Sequence, residues 1–368
     1  MIYFQDFKNN ALVYFSLFLL FSNYMLFTAF NWAVDFDFDS IKLFIRIFVF
    51  FLLLISILSN GFIKKNIFFM LLYCLFLFAL NFNEVLLNFI YLFMIIGSMK
   101  NIFIDNVFLS VLYLYLIFSI IHVSLFLLGA IVDVDSVYGD RLRHSFGFTN
   151  VNRLGIFYFY FLVLCTYFLL NSKCLLKFVS LFGLIASIFY IILSDSRTAL
   201  YCSLLLFALI ALGKFHGIYK LERFFLNFCI IFCSVISFYL STSIGQVWND
   251  VLSFRPAYFE QYTNFLYSSS GFFFGLPLID EITVDNSYIL FSGAFGLLSS
   301  ILFYFVSPFL IFNVKVDRIL CASIIVILFY GVFESNLLRV EMLLPIIVFY
   351  YLFFQEKSIK QELNRDTN

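Results

Sequence analysis

Residues 11–30, ALVYFSLFLLFSNYMLFTAF, and residues 41–60, IKLFIRIFVFFLLLISILSN, decide how the chain is read. Asp35, Asp37 and Asp39 lie between them, and Lys64 and Lys65 follow the second run. A run of about 20 apolar residues is long enough to cross a bilayer. In lipid every backbone polar group must be bonded internally, so such runs are helices. The pattern predicts a helical hairpin whose acidic turn and lysine-bearing end lie on opposite sides of a membrane.

The rest of the chain repeats this arrangement. Of 368 residues, 64% are apolar and 58 are Phe. Twelve apolar runs are expected at 11–31, 41–60, 66–80, 85–99, 103–130, 152–171, 174–193, 197–213, 224–244, 286–312, 317–334 and 340–354. The third and fourth are short. Lys64, Lys65 and Lys100 on one side, with Asn81, Asn83 and Glu84 at the tip, favour two full crossings. The expected fold is therefore all-α: a polytopic membrane protein of about twelve transmembrane helices, a single integral membrane domain over residues 1–368 with no internal repeat or linker. Lysines mark one set of connections: Lys8, Lys64, Lys65, Lys100, Lys173, Lys177, Lys214, Lys220, Lys315, Lys357 and Lys360. Cytoplasmic loops carry the excess of lysine and arginine, so both termini are expected in the cytoplasm. The zero net charge hides a polarised molecule, basic inside and acidic outside. The outward segments hold Asp35, Asp37, Asp39, Asp133, Asp135, Asp140, Asp195, Asp250, Glu260, Asp280, Glu281 and Asp285.

The first run is long and lacks a small-residue cleavage site, so no cleaved signal peptide is expected. All seven cysteines fall in apolar runs, which implies neither a disulfide framework nor a metal cluster. Cys229 and Cys233, one helical turn apart, read as small packing residues. There is no phosphate-cradling loop, zinc motif or nucleotide fingerprint. Neither ATP-driven chemistry nor a nucleic-acid partner is expected, and no cofactor or metal is assigned.

The lysine-poor connections hold arginine instead: Arg141, Arg143, Arg153, Arg197, Arg255 and Arg339. Topology does not call for these. A planar guanidinium fork matches phosphate or carboxylate, so they suggest an outward site for an anion. One outward connection, 245–286, is far longer than the others, and long loops that are not disordered by composition are usually functional. Within it Arg255–Tyr267 has helical spacing, with Phe259, Tyr262, Phe265 and Leu266 as an apolar face and Pro256 suited to the first turn. A short helix at the membrane surface is expected there. Segment 132–153 carries three arginines and His144. In 193–200, LSDSRTAL, Ser194 or Asp195 is placed to cap a helix with Arg197 in its first turn. Helix N-termini favour anions, so an arginine there points to a bound one. Glu334 lies near Arg339 and could pair with it. Asn152 and Asn286 could cap helices, and Arg141 and Arg143 could pair with Asp133, Asp135 or Asp140.

Arg143-His-Ser-Phe-Gly-Phe-Thr-Asn-Val-Asn152-Arg-Leu-Gly155, followed by Ser194-Asp-Ser-Arg197-Thr-Ala199, resembles two signatures of the bacterial O-antigen and capsular polysaccharide polymerases of the Wzy type. Arg255 opening the long loop, Val284-Asp285-Asn286-Ser-Tyr288 running into Gly293-Ala-Phe-Gly296, and Tyr330-Gly-Val-Phe-Glu334 resemble the same pattern. The resemblance covers roughly residues 140–340, by order of elements more than by any single motif. It implies a glycosyltransferase in the bacterial plasma membrane that polymerises polyprenyl-diphosphate-linked oligosaccharide repeats on the outer face. Its partners would be those lipid-linked oligosaccharides, membrane lipids, a chain-length regulator and a flippase. Related O-antigen ligases use a histidine in the long outward loop, and residues 245–286 contain none.

With this reading, Arg141, Arg143, Asn152, Arg197, Arg255 and Asn286 are the expected substrate-binding residues, and Asp285, Glu334 and His144 the acid–base candidates. Arginines aimed at the diphosphate would stabilise charge as the glycosidic bond breaks, a task that a divalent cation performs elsewhere. A flippase for lipid-linked oligosaccharide is the alternative, together with the ligase. Alternating access usually comes with repeated halves and a site near the midplane. Here the charges cluster on one face.

Overall fold

The computed structural model describes residues 10–34, 37–60, 65–99, 102, 104–138, 141–172, 174–249, 252, 254–277, 284–311 and 316–353. Several residues of the charge pattern lie outside that set: Lys8, Asp35, Lys64, Lys100, Asp140, Lys173, Asp250, Asp280, Glu281, Lys315, Lys357 and Lys360.

The helices are α1 (Ala11–Tyr24, closed by a π turn at Met25–Ala29), α2 (Asp39–Asn60), α3 (Lys65–Asn81), α4 (Glu84–Ser98), α5 (Ile104–Leu127), α6 (Val151–Asn171), α7 (Cys174–Leu193), α8 (Arg197–Leu212) and α9 (His216–Leu240). They continue as α10 (Arg255–Leu266), α11 (Ser269–Phe273), α12 (Ser287–Phe295), α13 (Leu297–Ile311), α14 (Arg318–Tyr330) and α15 (Leu344–Phe353). Among the described residues, six helical stretches are long and apolar enough to cross a membrane: Ala11–Ala29, Asp39–Ser59, Ile104–Leu127, Val151–Asn171, Leu175–Leu193 and Gly217–Leu240. Six further apolar helices of 10–17 residues are α8, α13, α14, α15, Ile67–Asn81 and α4. Large apolar side chains stand exposed along α2, α7 and α13, among them Leu58, Phe182 and Phe309. Contiguous apolar surface on this scale suits a hydrocarbon surrounding rather than water.

Contacts cluster in two units interleaved along the chain. The first comprises residues 1–63, 97–207 and 341–344, the second residues 64–96, 208–340 and 345–368. In the first, α6 is buried on every side from Leu154 to Thr166, as a helix apolar all round requires. Phe157 of α6 stacks on Phe21 of α1 and on Tyr115 of α5, and those two rings meet at a tilt, in its core. Helix α6 meets the 194–199 turn at Gly155, where a Cβ would collide with Ser196 Oγ and touch Ala199.

Two features of this unit were not expected. Residues 135–138 and 141–144 form a two-stranded antiparallel hairpin, β1 (Asp135–Tyr138) and β2 (Arg141–His144). Arg46, in the first half of the second apolar run, is paired with Glu341 at 2.6 Å. An ionic group inside an apolar helix needs such a partner.

In the second unit α9 packs against α12, α13 and α14. The expected single helix over 286–312 is broken at Gly296 (φ 84°) into α12 and α13. A Cβ there would sit 2.7 Å from the Phe273 carbonyl oxygen, so the break admits the end of α11. Leu276 N–H donates to Gly293 O at 2.7 Å, while Asn81 and Asn83 side chains donate to the carbonyls of Phe274 and Leu276. Interrupted helix in an apolar surrounding is tolerated where neighbouring protein satisfies the freed groups. The expected surface helix is present as α10. It buries Pro256, Phe259, Tyr262, Thr263 and Leu266, whereas Phe265 is exposed. Phe265 lies six positions after Phe259, about 240° round the helix, and so falls off the face set by Phe259, Tyr262, Thr263 and Leu266.

The Gly155 contact gives a direct test. Gly155→Leu is expected to lose about 1–3 kcal/mol of stability by overpacking, read as a lower unfolding temperature in detergent. Gly217→Ala, where a Cβ would meet nothing within 4 Å, is expected to be neutral or stabilising by up to about 1 kcal/mol.

Candidate functional site

The second unit assembles three of the sequence-predicted segments around the end of α14. Four successive carbonyls, of residues 331–334, leave that helix without helical partners, and each is taken by a different donor. Ser287 N–H donates to Gly331 O at 2.8 Å, and Asn286 Nδ2 to Val332 O at 2.7 Å. Arg255 Nη1 donates to Phe333 O at 2.5 Å, and Ser287 Oγ to Glu334 O at 2.8 Å. Asn286 is fully buried, and its Oδ1 also caps α12 by accepting from the N–H groups of Tyr288 and Ile289. This Asn–Ser pair is therefore committed to the architecture.

Arg255 Nη2 lies 2.7 Å from Glu334 Oε1 and 3.9 Å from Asp285 Oδ2. Glu334 thus pairs with Arg255 rather than with Arg339, whose guanidinium donates to Ser335 Oγ. Burial pushes the Glu334 carboxyl up to about 6, against the pull of Arg255. Burial also opposes the Arg255 charge, but Glu334 and Asp285 outweigh it and hold that guanidinium above the ordinary arginine value. Asp285 is more open, with 39% of its side chain exposed against 3% for Glu334. Arg255 begins α10 directly after Phe254, which is forced into the left-handed region at φ 60°. Asn249 Oδ1 accepts from Ala257 N–H and fixes the first turn. Glu334 and the Phe333 carbonyl thus occupy this guanidinium.

The first unit gathers the other predicted residues. Arg143 donates to Asn152 Oδ1 at 3.2 Å. Asn150, not Asn152, caps α6 by accepting from Arg153 N–H. Arg153 Nη1 donates to the Thr28 carbonyl, left open by the π turn that ends α1, and to Thr149 Oγ1. Backbone bonds from Asn31 to Gly147, Val132 to Asn31 and Thr149 to Ala29 fasten the 130–149 segment to the end of α1. Arg141 lies in β2. Asp133, expected as a partner of arginine, instead accepts from His144 Nδ1 at 2.9 Å and from the N–H groups of Ser145 and Phe146.

Helix α8 begins at Arg197 itself, with Ser196 at the capping position. Ser194 turns back to donate to Ile191 O. Arg197 is exposed, and among the described residues it has no hydrogen-bond or ion-pair partner. It projects from a helix N-terminus whose unpaired N–H groups also favour an anion. Asp195, two residues before it, has φ 53°.

Sequence reasoning passed over His122. It is buried on α5, with Nε2 2.6 Å from the Phe146 carbonyl and Nδ1 2.8 Å from Tyr158 OH. A carbonyl only accepts, so Nε2 carries the proton and Nδ1 accepts from the tyrosine. A histidine inside an apolar run is the signal that marks it. Among the described residues no group of three or more His, Cys, Asp or Glu side chains converges as a metal site. Of the predicted groups whose side chains are described, Arg143, His144, Asn152, Arg197, Arg255 and Asp285 keep solvent-accessible surface, whereas Glu334 and Asn286 are buried.

Compared with protein-family models, with curated proteins and with solved structures, the chain matches none.

Because Glu334 binds its proton more tightly folded than unfolded, folding takes up a proton between about pH 4.5 and about 6. Its contribution favours the fold at low pH and is lost as pH rises through about 6. Arg255→Ala strands the buried carboxylate and is expected to cost about 3–5 kcal/mol above that range, but clearly less at pH 5. Thermal unfolding of wild type and variant at pH 5 and pH 8 reads the difference; an equal loss at both would show that Glu334 is not the group concerned.

Proposed function

We propose that this chain is a membrane-embedded glycosyltransferase that polymerises polyprenyl-diphosphate-linked oligosaccharide repeats on the outer face of a bacterial plasma membrane. The observation that carries the reading is pairwise convergence of the segments that resemble the polymerase pattern. Within the first unit, Gly155 of one segment packs on Ser196 and Ala199 of the next, with Arg197 beside them. Within the second, Asp285–Ser287 and the 331–334 carbonyls close round Arg255. The reading requires the quoted segments to lie together in this way.

Backbone strain supports an active surface on the lysine-poor side. Among the described residues five non-glycine residues are left-handed: Phe82, Phe146, Asp195, Phe254 and Leu343. All five fall in connections of the lysine-poor set. Left-handed backbone costs such residues roughly 1–2 kcal/mol each, and such strain clusters at functional sites. Twelve membrane crossings, supplied by the six long and six shorter apolar helices with α12 and α13 sharing the tenth, would put all five outside with both termini in the cytoplasm.

In this mechanism Arg197 and the N-terminus of α8, with Arg143, hold the lipid diphosphate. As the acceptor hydroxyl attacks the anomeric carbon, the bond to the diphosphate oxygen breaks and its electron pair leaves with the diphosphate. The guanidinium groups stabilise that developing charge. Glu334, buried beneath Arg255, serves to hold Arg255 and the 331–334 turn; in the unit that carries Arg197 and Arg143, His144 is the acid–base candidate.

Deleting the chain in its host is expected to leave single repeats on the lipid carrier at the outer face; repeats trapped inside would instead identify a flippase. Arg197→Lys keeps the charge but loses the bidentate fork, and is expected to lower polymer yield at normal membrane abundance. Full-length glycan from both Arg197→Lys and Arg197→Ala would remove Arg197 from the site.

The topology is tested separately by cysteine labelling in intact cells. Phe265→Cys is expected to react from outside, and His216→Cys only after the membrane is permeabilised; the reverse pattern would invert the orientation.

A further inference from the structure

At the opposite end of α14 from Glu334, three helix ends enclose a carboxylate. Glu222 lies in the second turn of α9 and is buried, 4% exposed. Neither of its carboxylate oxygens touches solvent, and among the described residues neither has a hydrogen-bond partner. Arg318, the first residue of α14, has its Nε in the same condition. The two side chains meet over Gly213, at the end of α8. A Cβ there would lie 2.9 Å from Glu222 Oε2 and 3.0 Å from both Cγ and Cδ of Arg318. The carboxylate thus lies beside the methylenes of the arginine, and no hydrogen bond or ion pair joins it to a described residue. Two other polar groups here are committed. Asp317 caps α14 by accepting from Leu320 N–H, and Tyr219 OH donates to Val316 O at 2.8 Å.

A buried polar group without a partner calls for an explanation, and an ionisable one in an apolar surrounding most of all. The carboxylate needs hydrogen-bond donors. Its Oε2 faces the C-terminus of α8, where the helix field also favours a cation. Arg318 Nε needs an acceptor. A small group that carries a positive donor next to an anionic acceptor meets all three demands. The cluster lies on the lysine-bearing side, near exposed Lys214 and Lys220. Leu212, Phe215 and Leu221 around it are exposed as well, so the cluster borders hydrocarbon at headgroup level. We propose that Glu222 and Arg318 bind the headgroup of an ethanolamine phospholipid. The primary ammonium donates to the Glu222 carboxylate, and the phosphate accepts from the Arg318 guanidinium. The carboxylate lies one side chain beneath the surface, and a swing of half-exposed Arg318 admits the headgroup. The acyl chains then run along the exposed apolar side chains. The site is independent of the transfer chemistry proposed above.

Native mass spectrometry of the full-length protein in detergent reads the site. The protein is offered equimolar ethanolamine, choline and glycerol phospholipids with the same acyl chains. The choline headgroup keeps the phosphate but has no N–H to donate, and the glycerol headgroup has no cation. The wild type is expected to retain one ethanolamine phospholipid about 10–100-fold over either of the others, the range of a hydrogen bond to a charged group. Glu222→Gln removes a buried charge and keeps the shape, so it is expected to fold and to lose the preference. Arg318→Gln, on a half-exposed side chain, is expected to lower retention of the ethanolamine lipid and gives a second reading. Lys214→Gln with Lys220→Gln should leave the preference intact. Equal retention of the three lipids by wild type overturns the proposal, as when Glu222 and Arg318 simply bond to each other. A preference that survives both Glu222→Gln and Arg318→Gln overturns it too, as does one for the glycerol lipid that vanishes with the two lysines. Glycerophosphoethanolamine is the same headgroup without chains; its binding as tightly as the lipid would identify a soluble ligand and overturn the lipid assignment.

Discussion

A hydrogen-bonding group left without a partner in an apolar surrounding costs roughly 1–3 kcal/mol, and a charged one more. In a chain 64% apolar that constraint decides where almost every polar residue goes. Hydroxyl groups along the helices turn back on carbonyls one turn earlier, as Ser16, Thr166, Ser187, Ser203 and Ser323 do. Where a helix stops, its carbonyls are met in order by named donors. The π turn closing α1 leaves Thr28 O to Arg153, and the end of α14 leaves four carbonyls to Asn286, Ser287 and Arg255. The polar sites of this protein are therefore built at helix ends, because an apolar fold creates its unmet demand there.

The same constraint separates arginines that support the fold from those available to a ligand. Arg46, Arg153 and Arg255 each satisfy a specific buried or half-buried acceptor: Glu341, the Thr28 carbonyl, and Glu334 with the Phe333 carbonyl. Arg197 does none of this. It stands exposed at a helix N-terminus, where the local field disfavours a cation. Among the described residues it has no side-chain partner, which is why it is the arginine proposed above to meet an anion.

Much of this was legible from charge spacing. The apolar runs appear as helices, Pro256 marks the start of α10, and Asn286 caps α12. The hairpin over 135–144 was hidden because its two strands of four residues carry no apolar alternation longer than a turn. The break at Gly296 was hidden because an isolated glycine within an apolar run does not say whether another segment will approach it. At the site, residue types were readable but partners were not. Glu334 stands near Arg339 in sequence yet takes Arg255 from a loop some 80 residues earlier, since the turn after α14 points its carboxylate toward α10. Asp133 was read as a neutralising charge for arginine. Only the left-handed corner at Phe146 shows that it binds backbone N–H groups and orients an imidazole.

The two ionic arrangements answer different chemical needs. Arg255 and Glu334 form a buried pair whose members neutralise each other, and breaking it leaves an uncompensated charge; that suits a strut. His144 and Asp133 form a half-exposed pair in which one carboxylate oxygen is held by the N–H groups of Ser145 and Phe146 and the other meets the imidazole. Phe146 holds a left-handed backbone where His122 and Asp133 grip its carbonyl and its N–H at once, which fixes the corner that carries His144.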